Sequence, residues 1–393
     1  MDILTYLLSF IIIFLLPLGQ VFRINLGGGV AVAPLDVGVA ITACVSFVFL
    51  IRKKKIPFFA LPLFLFFFCG FIGLLFAARF LAQEEFFVSL LYLLRFIAYG
   101  NIAFGTSFLQ EKQKNILLKA LLIGGGIIVA AGFVQYAFYQ SLWGVLYEGW
   151  DPHLYRMFST FLDPNFVGPF FVLYLLFVLH LLLTEKKKKI LFGILSLCTF
   201  IALLLTFSRG TYIDAGVSLL VYLFLRGYKK IAMTIPIVVI LLGFLFTFFI
   251  PYGEGKNLLR TASTDARITD IKNALIIFSK NPIIGVGFDG YRYAQHRYNL
   301  LSGFNWEDTH SGAGVADSFV FVLATTGILG GISYFWFWFV ILRKTIQNMQ
   351  QKKKDAIFFL TSFLALLISG LFENTLFYPS IMVWFFILVG LIG

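Results

Sequence analysis

Charge is scarce in this chain: 13% of its 393 residues are Asp, Glu, Lys or Arg, while 60% are hydrophobic and 50 are Phe. With a mean hydropathy of +0.92, that shortage excludes a soluble globular domain, where about a quarter of the residues are charged. Cysteine is nearly absent too. Cys44, Cys69 and Cys198 all fall inside apolar runs, where a free thiol behaves as a small hydrophobe, so neither a disulfide framework nor a metal cluster is implied. The first apolar run has no basic segment before it and no small-residue cleavage site after it, so it reads as a retained helix and not as a removed signal peptide. No internal repeat is visible. Long polar sequence occurs once, from Pro251 to Gly314.

What the chain does have is apolar runs of the length a bilayer demands, roughly 20 residues per helical crossing. Twelve are read, at 3–22, 34–51, 57–80, 86–108, 116–138, 164–184, 190–207, 210–226, 231–250, 315–342, 355–371 and 375–392. The expected fold is an all-α polytopic membrane protein with about 12 transmembrane helices: residues 1–250 carry helices one to nine, 251–314 form one large loop, and 315–393 carry helices ten to twelve. Basic residues cluster at Arg52 to Lys55, Lys112 with Lys114, Lys186 to Lys189, Arg226 with Lys229 and Lys230, and Arg343 to Lys354. Each cluster follows an even-numbered run, which puts both termini in the cytoplasm and the large loop outside. Much of the +12 net charge is therefore a topology signal, and nucleic acid is not an expected partner. Arg23, Arg79, Arg156 and Arg209 stand in the opposite short connections, against the charge bias, and invite a functional reading.

Within the large loop, Ile268, Ile271, Leu275 and Phe278 recur at helical spacing between Arg267 and Lys280 while Asp270, Lys272 and Asn273 take other faces. An amphipathic helix on the membrane is expected, capped by Ser263, Thr264 or Asp265 and ended by Asn281-Pro282. Arg267 would stand at its N-terminus, where backbone N–H groups favour an anion. The loop as a whole is no basic patch, because Glu254, Asp265, Asp270, Asp289, Glu307 and Asp308 offset its Lys and Arg.

Elsewhere, Trp143, Tyr147, Trp150 and Tyr155 suit the headgroup level, as interfacial anchors or as sugar-stacking rings. Asp163-Pro164-Asn165 opens a helix. Ser208-Arg209-Gly210 puts a guanidinium at the outer boundary, with Asp214 five residues on as a partner for Arg209. Arg95 lies inside the fourth run, where a cation costs about 2.5–3.5 kcal/mol, so it needs a structural ion pair or a place in the substrate cavity. His180 reads as an interfacial imidazole beside the Lys186 cluster, and the glycines at 124–126 and 132 as sites of close helix packing.

Asn281-Pro-Ile-Ile-Gly-Val-Gly-Phe288, with Arg267 ahead of it and Asp317-Ser-Phe319 and Thr326-Gly-Ile-Leu-Gly330 behind it, resembles the O-antigen ligase and polymerase family. The resemblance extends to Phe161-Leu-Asp-Pro-Asn165, Phe207-Ser-Arg-Gly210 and Phe372-Glu-Asn374, and so covers most of the chain. It implies a membrane fold of the GT-C type and a metal-independent, inverting glycosyltransferase in a bacterial plasma (inner) membrane. No cofactor is expected. The donor would be a glycan on undecaprenyl pyrophosphate, the second substrate a glycan acceptor, and the surroundings the lipid bilayer, with envelope polysaccharide assembly proteins as further partners. Arg209 and Arg267 are the principal candidates for stabilising charge on the departing pyrophosphate, with Arg156, Arg260, Asn165 and Arg95 as substrate-binding candidates. For the base that receives the hydroxyl proton, Asp317 and His310 are the candidates. Where the ligase branch has a His, this chain has Ala316, which tilts the reading toward a polymerase joining lipid-linked repeat units. A ligase, a transporter that does no chemistry and a non-catalytic scaffold are the alternatives.

Overall fold

In hydrocarbon every backbone N–H and C=O must find its partner within the protein, which leaves helices as the economical form for apolar runs of this length. The computed structural model describes residues 3–27, 29–53, 56–144, 151, 153–249, 262–301, 306 and 314–393, and helices dominate them. Each of the twelve apolar runs is occupied by a helix. Among the described residues seven helices are long and apolar enough to cross a membrane, the longest being Ser318–Gln350, and four further apolar helices are shorter. The chain is thus an α-helical polytopic membrane protein. One feature escaped the sequence reading: an antiparallel hairpin of β1 (Ile24–Gly27) and β2 (Val30–Val32), with Ile24 opposite Val32 and Asn25 opposite Ala31.

The chain divides into two compact units. The first comprises Met1–Phe22, Glu111–Arg260 and Thr345–Ser369. It contains α1 (Ile3–Phe10), α5 (Glu111–Phe138), α6 (Pro164–Thr184), α7 (Lys189–Leu204), α8 (Arg209–Leu225), α9 (Lys229–Phe246) and α13 (Ala356–Gly370). α6 starts because Asp163 adopts an extended conformation and its side chain accepts from the Asn165 N–H, with Pro164 in the first turn. It is buried on nearly every side, as a helix apolar all round should be. A Cβ on Gly124 would lie 2.2 Å from the Ile12 carbonyl and one on Gly125 would lie 2.3 Å from the Tyr174 ring. These glycines serve contact within the chain, as expected. Two expectations are corrected. Asp214 is fully buried and accepts from Ser218 at 3.0 Å, one turn further along α8, and not from Arg209. His180 is buried and stacks on Phe358. Its Nε2 lies 2.8 Å from Asp355 and its Nδ1 2.5 Å from Arg226, so it is buried and clamped, not solvated.

The second unit comprises Arg23–Gln110, Thr261–Lys344 and Gly370–Gly393. It contains the hairpin, α2 (Pro34–Lys53), α3 (Ala60–Ala77), α4 (Gln83–Ser107), α10 (Ala262–Lys280), α11 (Tyr291–Arg297), most of α12 (Ser318–Gln350), and α14 (Pro379–Leu391). α3 shows the lipid solution plainly: Leu63, Phe66, Gly70, Leu74 and Ala77 are buried, while Leu61, Phe64, Phe68, Phe71 and Leu75 form an exposed stripe at helical spacing. α12 is broken at Gly327, whose φ of 63° and ψ of −167° no helix allows. The break is filled by residues 282–286. Ile328 N–H donates to the Pro282 carbonyl (2.8 Å), Leu329 N–H to Ile283, and Val286 N–H to Ala324. The approach is so close that a Cβ on Gly285 would sit 2.3 Å from the Thr325 carbonyl carbon, and one on Gly327 2.4 Å from that of Ile283. The two glycine motifs are therefore the two halves of one backbone lock, which satisfies polar groups that a broken helix would otherwise leave bare.

The helix expected within the large loop forms, but not as drawn from the sequence. α10 begins at Ala262, so Thr264 and Asp265 lie inside it instead of capping it. Its packed face is Ile271, Ala274 and Ile277, set against Tyr291, Ala294, Val315 and Phe321. Ile268 and Leu275, assigned to the apolar stripe, are 45% and 46% exposed. The small side chain of Ala274 permits the close approach that decided the face.

Candidate functional site

The first unit gathers its candidates around one buried guanidinium. Arg156 is 1% exposed. Its Nε donates to the Thr206 carbonyl (2.9 Å), and its Nη2 to Asn165 Oδ1 (3.2 Å) and the Phe207 carbonyl (3.5 Å). Its Nη1 stands 3.5 Å from His153 Nδ1, and because arginine only donates, that nitrogen is the acceptor. Ser208 Oγ donates to the same Asn165 oxygen (3.1 Å). The corner is braced from α5. Gln135 Oε1 accepts from the N–H groups of Phe158 and Ser159, and its Nε2 donates to the Arg156 carbonyl (3.3 Å). Arg156, Asn165 and Ser208 are thus one hydrogen-bonded set, and half-buried Arg209 follows Ser208 directly as the first residue of α8. Folding here demands unusual backbone: His153, Tyr155, Ser159, Leu162 and Phe207 all have positive φ, a left-handed conformation that side chains with a Cβ adopt at a cost of order 1–3 kcal/mol. Such strain clusters where geometry matters more than stability.

The second unit places Arg267 differently from its expected position. Because α10 starts at Ala262, Arg267 lies beyond the first turn and meets no free backbone N–H groups. It forms an ion pair with Glu373. Three segments tie together there. Ser318 Oγ, at the start of α12, donates to the Glu373 carbonyl (3.1 Å) and accepts from the Leu376 N–H (3.3 Å), and a Cβ on Gly314 would lie 2.8 Å from the Asn374 amide. Asp317 caps α12: one carboxylate oxygen accepts from the N–H groups of Phe319 (2.8 Å) and Val320 (2.9 Å). Asp270, one turn from Arg267 on the same half-buried face, is pushed up to about 6 by burial, against the pull of Arg267.

Arg95 has the partner its depth requires. Its Nε donates to Asp36 Oδ1 at 2.7 Å. Tyr99 donates to the same oxygen (2.7 Å), and the other oxygen accepts from the Ala33 N–H. Tyr92, on the same helix, donates to the Gly29 carbonyl (3.1 Å), and an Arg292 amino nitrogen is 4.0 Å from where a Cβ on Gly29 would be. Close by, burial pushes Asp289 up to about 7, against the pull of Arg292 and Arg95. His310 and Arg260 lie outside the described residues. The sequence reading missed Glu373 and Asp36 as partners, Asp270 and Asp289 as carboxyls of raised affinity for protons, and Gln135 and His153 as braces. The one available signal was Glu373, already part of the Phe372-Glu-Asn374 motif.

Residues 192–335 match the family model described as O-antigen ligase. The matched stretch holds Arg209, Arg267 and Asp317 and both halves of the glycine lock. No curated protein matches the chain. Over residues 192–335, this multi-pass membrane protein is thus similar to the O-antigen ligase family.

Proposed function

We propose that the protein is a polymerase-type glycosyltransferase, which moves a glycan from undecaprenyl pyrophosphate to a sugar hydroxyl on a second lipid-linked glycan. In this reading all twelve helical segments cross a bacterial plasma membrane in a GT-C-like arrangement, both termini are cytoplasmic and residues 251–314 lie outside. The acceptor oxygen forms a bond to the anomeric carbon with inversion, the bond from that carbon to the pyrophosphate oxygen breaks, and the hydroxyl proton passes to a carboxylate. Arg209 and Arg267 supply positive charge for the departing pyrophosphate, which needs no metal. Arg156, Asn165 and Arg260 bind substrate. Asp317 receives the proton, its uncommitted oxygen being available for that while the other holds the helix cap; His310 is the second candidate.

The observation that carries the reading is the setting of Arg267. It is half-buried and held by Glu373 where three segments are tied together, and Arg267 itself lies inside the stretch that matches the O-antigen ligase model. The test uses purified full-length protein in detergent with a lipid-linked repeat unit. Wild type is expected to build a ladder of lengthening lipid-linked glycans, unaffected by chelator, and Arg209→Ala or Arg267→Ala to slow it by about 10²–10³-fold. Glu373→Gln, which keeps the shape and frees the guanidinium, should retain far more activity than Arg267→Ala. Undiminished ladders from both arginine variants, or no new glycosidic bond from wild type, would overturn the proposal. A single transfer to a lipid core, protein or wall acceptor supplied in the assay, with no ladder, would make the enzyme a ligase instead.

A further inference from the structure

Unit 2 contains a second cationic place, which no part of the proposed chemistry uses. A cleft of about 180 Å³ opens between the end of α3 and the loop that follows α10, with Arg79, Arg297, Phe76, Phe80, Ile283 and Tyr298 in its lining. Arg79 Nε donates to the Phe76 carbonyl (3.0 Å), and Arg297 donates through one amino nitrogen to the Phe80 carbonyl. Both guanidiniums lie over one ring, at 5.1 and 4.8 Å from the centroid of Phe80. Lys280 Nζ is 4.0 Å from the centroid of Tyr298, whose hydroxyl accepts from Asn281 (3.1 Å).

Capping the end of α3 would account for one donor of each guanidinium, but arginine has five, and both amino nitrogens of Arg79 remain uncommitted. Two like charges are held over a single ring with a third nearby. Among the described residues none of the three forms an ion pair with a carboxylate. Held cations without a counter-ion create a positive potential that an anion relieves. The rim is apolar: Phe76, Phe80 and Ile283 are 48%, 52% and 61% exposed, surface that suits an anion carried on an apolar chain. The cleft is below the about 300–1,000 Å³ of ordinary small-molecule sites, room for a headgroup but not for a glycan.

We propose that this cleft holds the pyrophosphate of the second lipid-linked glycan, the acceptor. The assignment rests on the polymerase reading, in which both substrates carry a pyrophosphate. The acceptor's own pyrophosphate stays intact during transfer and lies one repeat-unit length from the attacking hydroxyl. Arg267, past the first turn of α10, and Lys280, its last residue, are about 20 Å apart at 1.5 Å per residue, a separation suited to two pyrophosphates with an oligosaccharide between them.

The test uses the full chain in phosphatidylcholine nanodiscs, titrated with unglycosylated undecaprenyl pyrophosphate and followed by native mass spectrometry. Wild type is expected to bind two equivalents, and Arg79→Ala/Arg297→Ala one, the weaker step falling at least tenfold in affinity. Arg79→Lys/Arg297→Lys should bind more tightly than the Ala pair. Phosphatidylglycerol, titrated separately, should compete poorly. Equal stoichiometry and affinity in wild type and the Ala pair would overturn the proposal, as would phosphatidylglycerol competing on equal terms, which would make this a general lipid-headgroup site. Failure of the polymerase reading looks different: wild type would then form no ladder, whatever the stoichiometry.

Discussion

Arg95 and Arg79 sit in the same unit at opposite extremes of pairing. Arg95 is closed on Asp36, which also takes Tyr99 and the Ala33 N–H, so a charge deep in an apolar helix is matched on both sides. Arg79 is exposed, touches only a carbonyl and two phenyl rings, and shares one of those rings with Arg297. A guanidinium that must live in a low-dielectric setting has to be neutralised, and once neutralised it has little left to offer a ligand. One at the boundary can remain unsatisfied, because water screens it until an anion arrives. Arg267 is intermediate: it has Glu373, but both side chains are about one-fifth exposed, so an incoming pyrophosphate can compete for it.

The largest effect should come from breaking the closed pair. Arg95→Ala leaves the Asp36 carboxylate with two hydrogen bonds and without its ion-pair partner, and removing one partner of a buried pair costs about 3–5 kcal/mol. The lower end is expected here, since Tyr99 and Ala33 remain. Thermal or denaturant unfolding in detergent measures it, and the double variant Arg95→Leu/Asp36→Leu should recover most of the loss. A cost no larger than that of Arg79→Ala would show that pairing is not what separates the two sites.

Asp289 sharpens the same comparison from the acidic side. It has no hydrogen-bond partner among the described residues, and burial pushes it from 3.8 up to about 7 despite Arg292 and Arg95. The unfolded chain gives up this proton near 3.8 and the folded chain near 7, so stability falls as pH rises through that window and the cost is complete above about 7. Asn is also at ease at the positive φ of 59° found here. Asp289→Asn should therefore unfold at the same temperature as wild type below pH 3.8 and at a higher one at pH 8, by a margin of the order of a few kcal/mol at about 1.36 kcal/mol per pKa unit. A pH-independent difference between the two proteins would mean that Asp289 is ionised and compensated in the fold.

How much of this could be read in advance follows the range of the interactions involved. Helix positions were legible because twenty consecutive apolar residues constrain themselves locally, and all twelve runs became helices. The face of α10 was not, because Ala274 scores as weakly apolar yet its small size lets the helix close on Tyr291 and Phe321. Arg95 could be said to need a partner but not which one: Asp36 comes from another helix, and periodicity does not report contacts between helices. The glycine motifs were legible as a resemblance, while their job, filling the break in α12 at Gly327 with residues 282–286, needed the fold. Arg156 and Asn165 were named separately and turned out to share a hydrogen bond, whereas the left-handed backbone at Ser159, Leu162 and Phe207 that joins them left no mark in residue type.

The smallest effect should be at the open site. Arg79→Ala removes one hydrogen bond to a carbonyl at an exposed helix end and two cation–π contacts, each worth about 0.5–1 kcal/mol where water reaches. It also removes the repulsion of Arg297 across the same ring, which acts in the opposite sense. The net change in stability should lie within about 0.5 kcal/mol, as for surface positions without a special role. Salt tests whether the balance is electrostatic. Raising ionic strength from about 0.01 M to 1 M shortens the screening length from about 30 Å to 3 Å, weakening the repulsion in wild type alone. Arg79→Ala should therefore be slightly the more stable protein at low salt and slightly the less stable at high salt. A gap that stays fixed across that range would mean the two guanidiniums do not feel each other, and the positive potential assigned to the cleft would have no source.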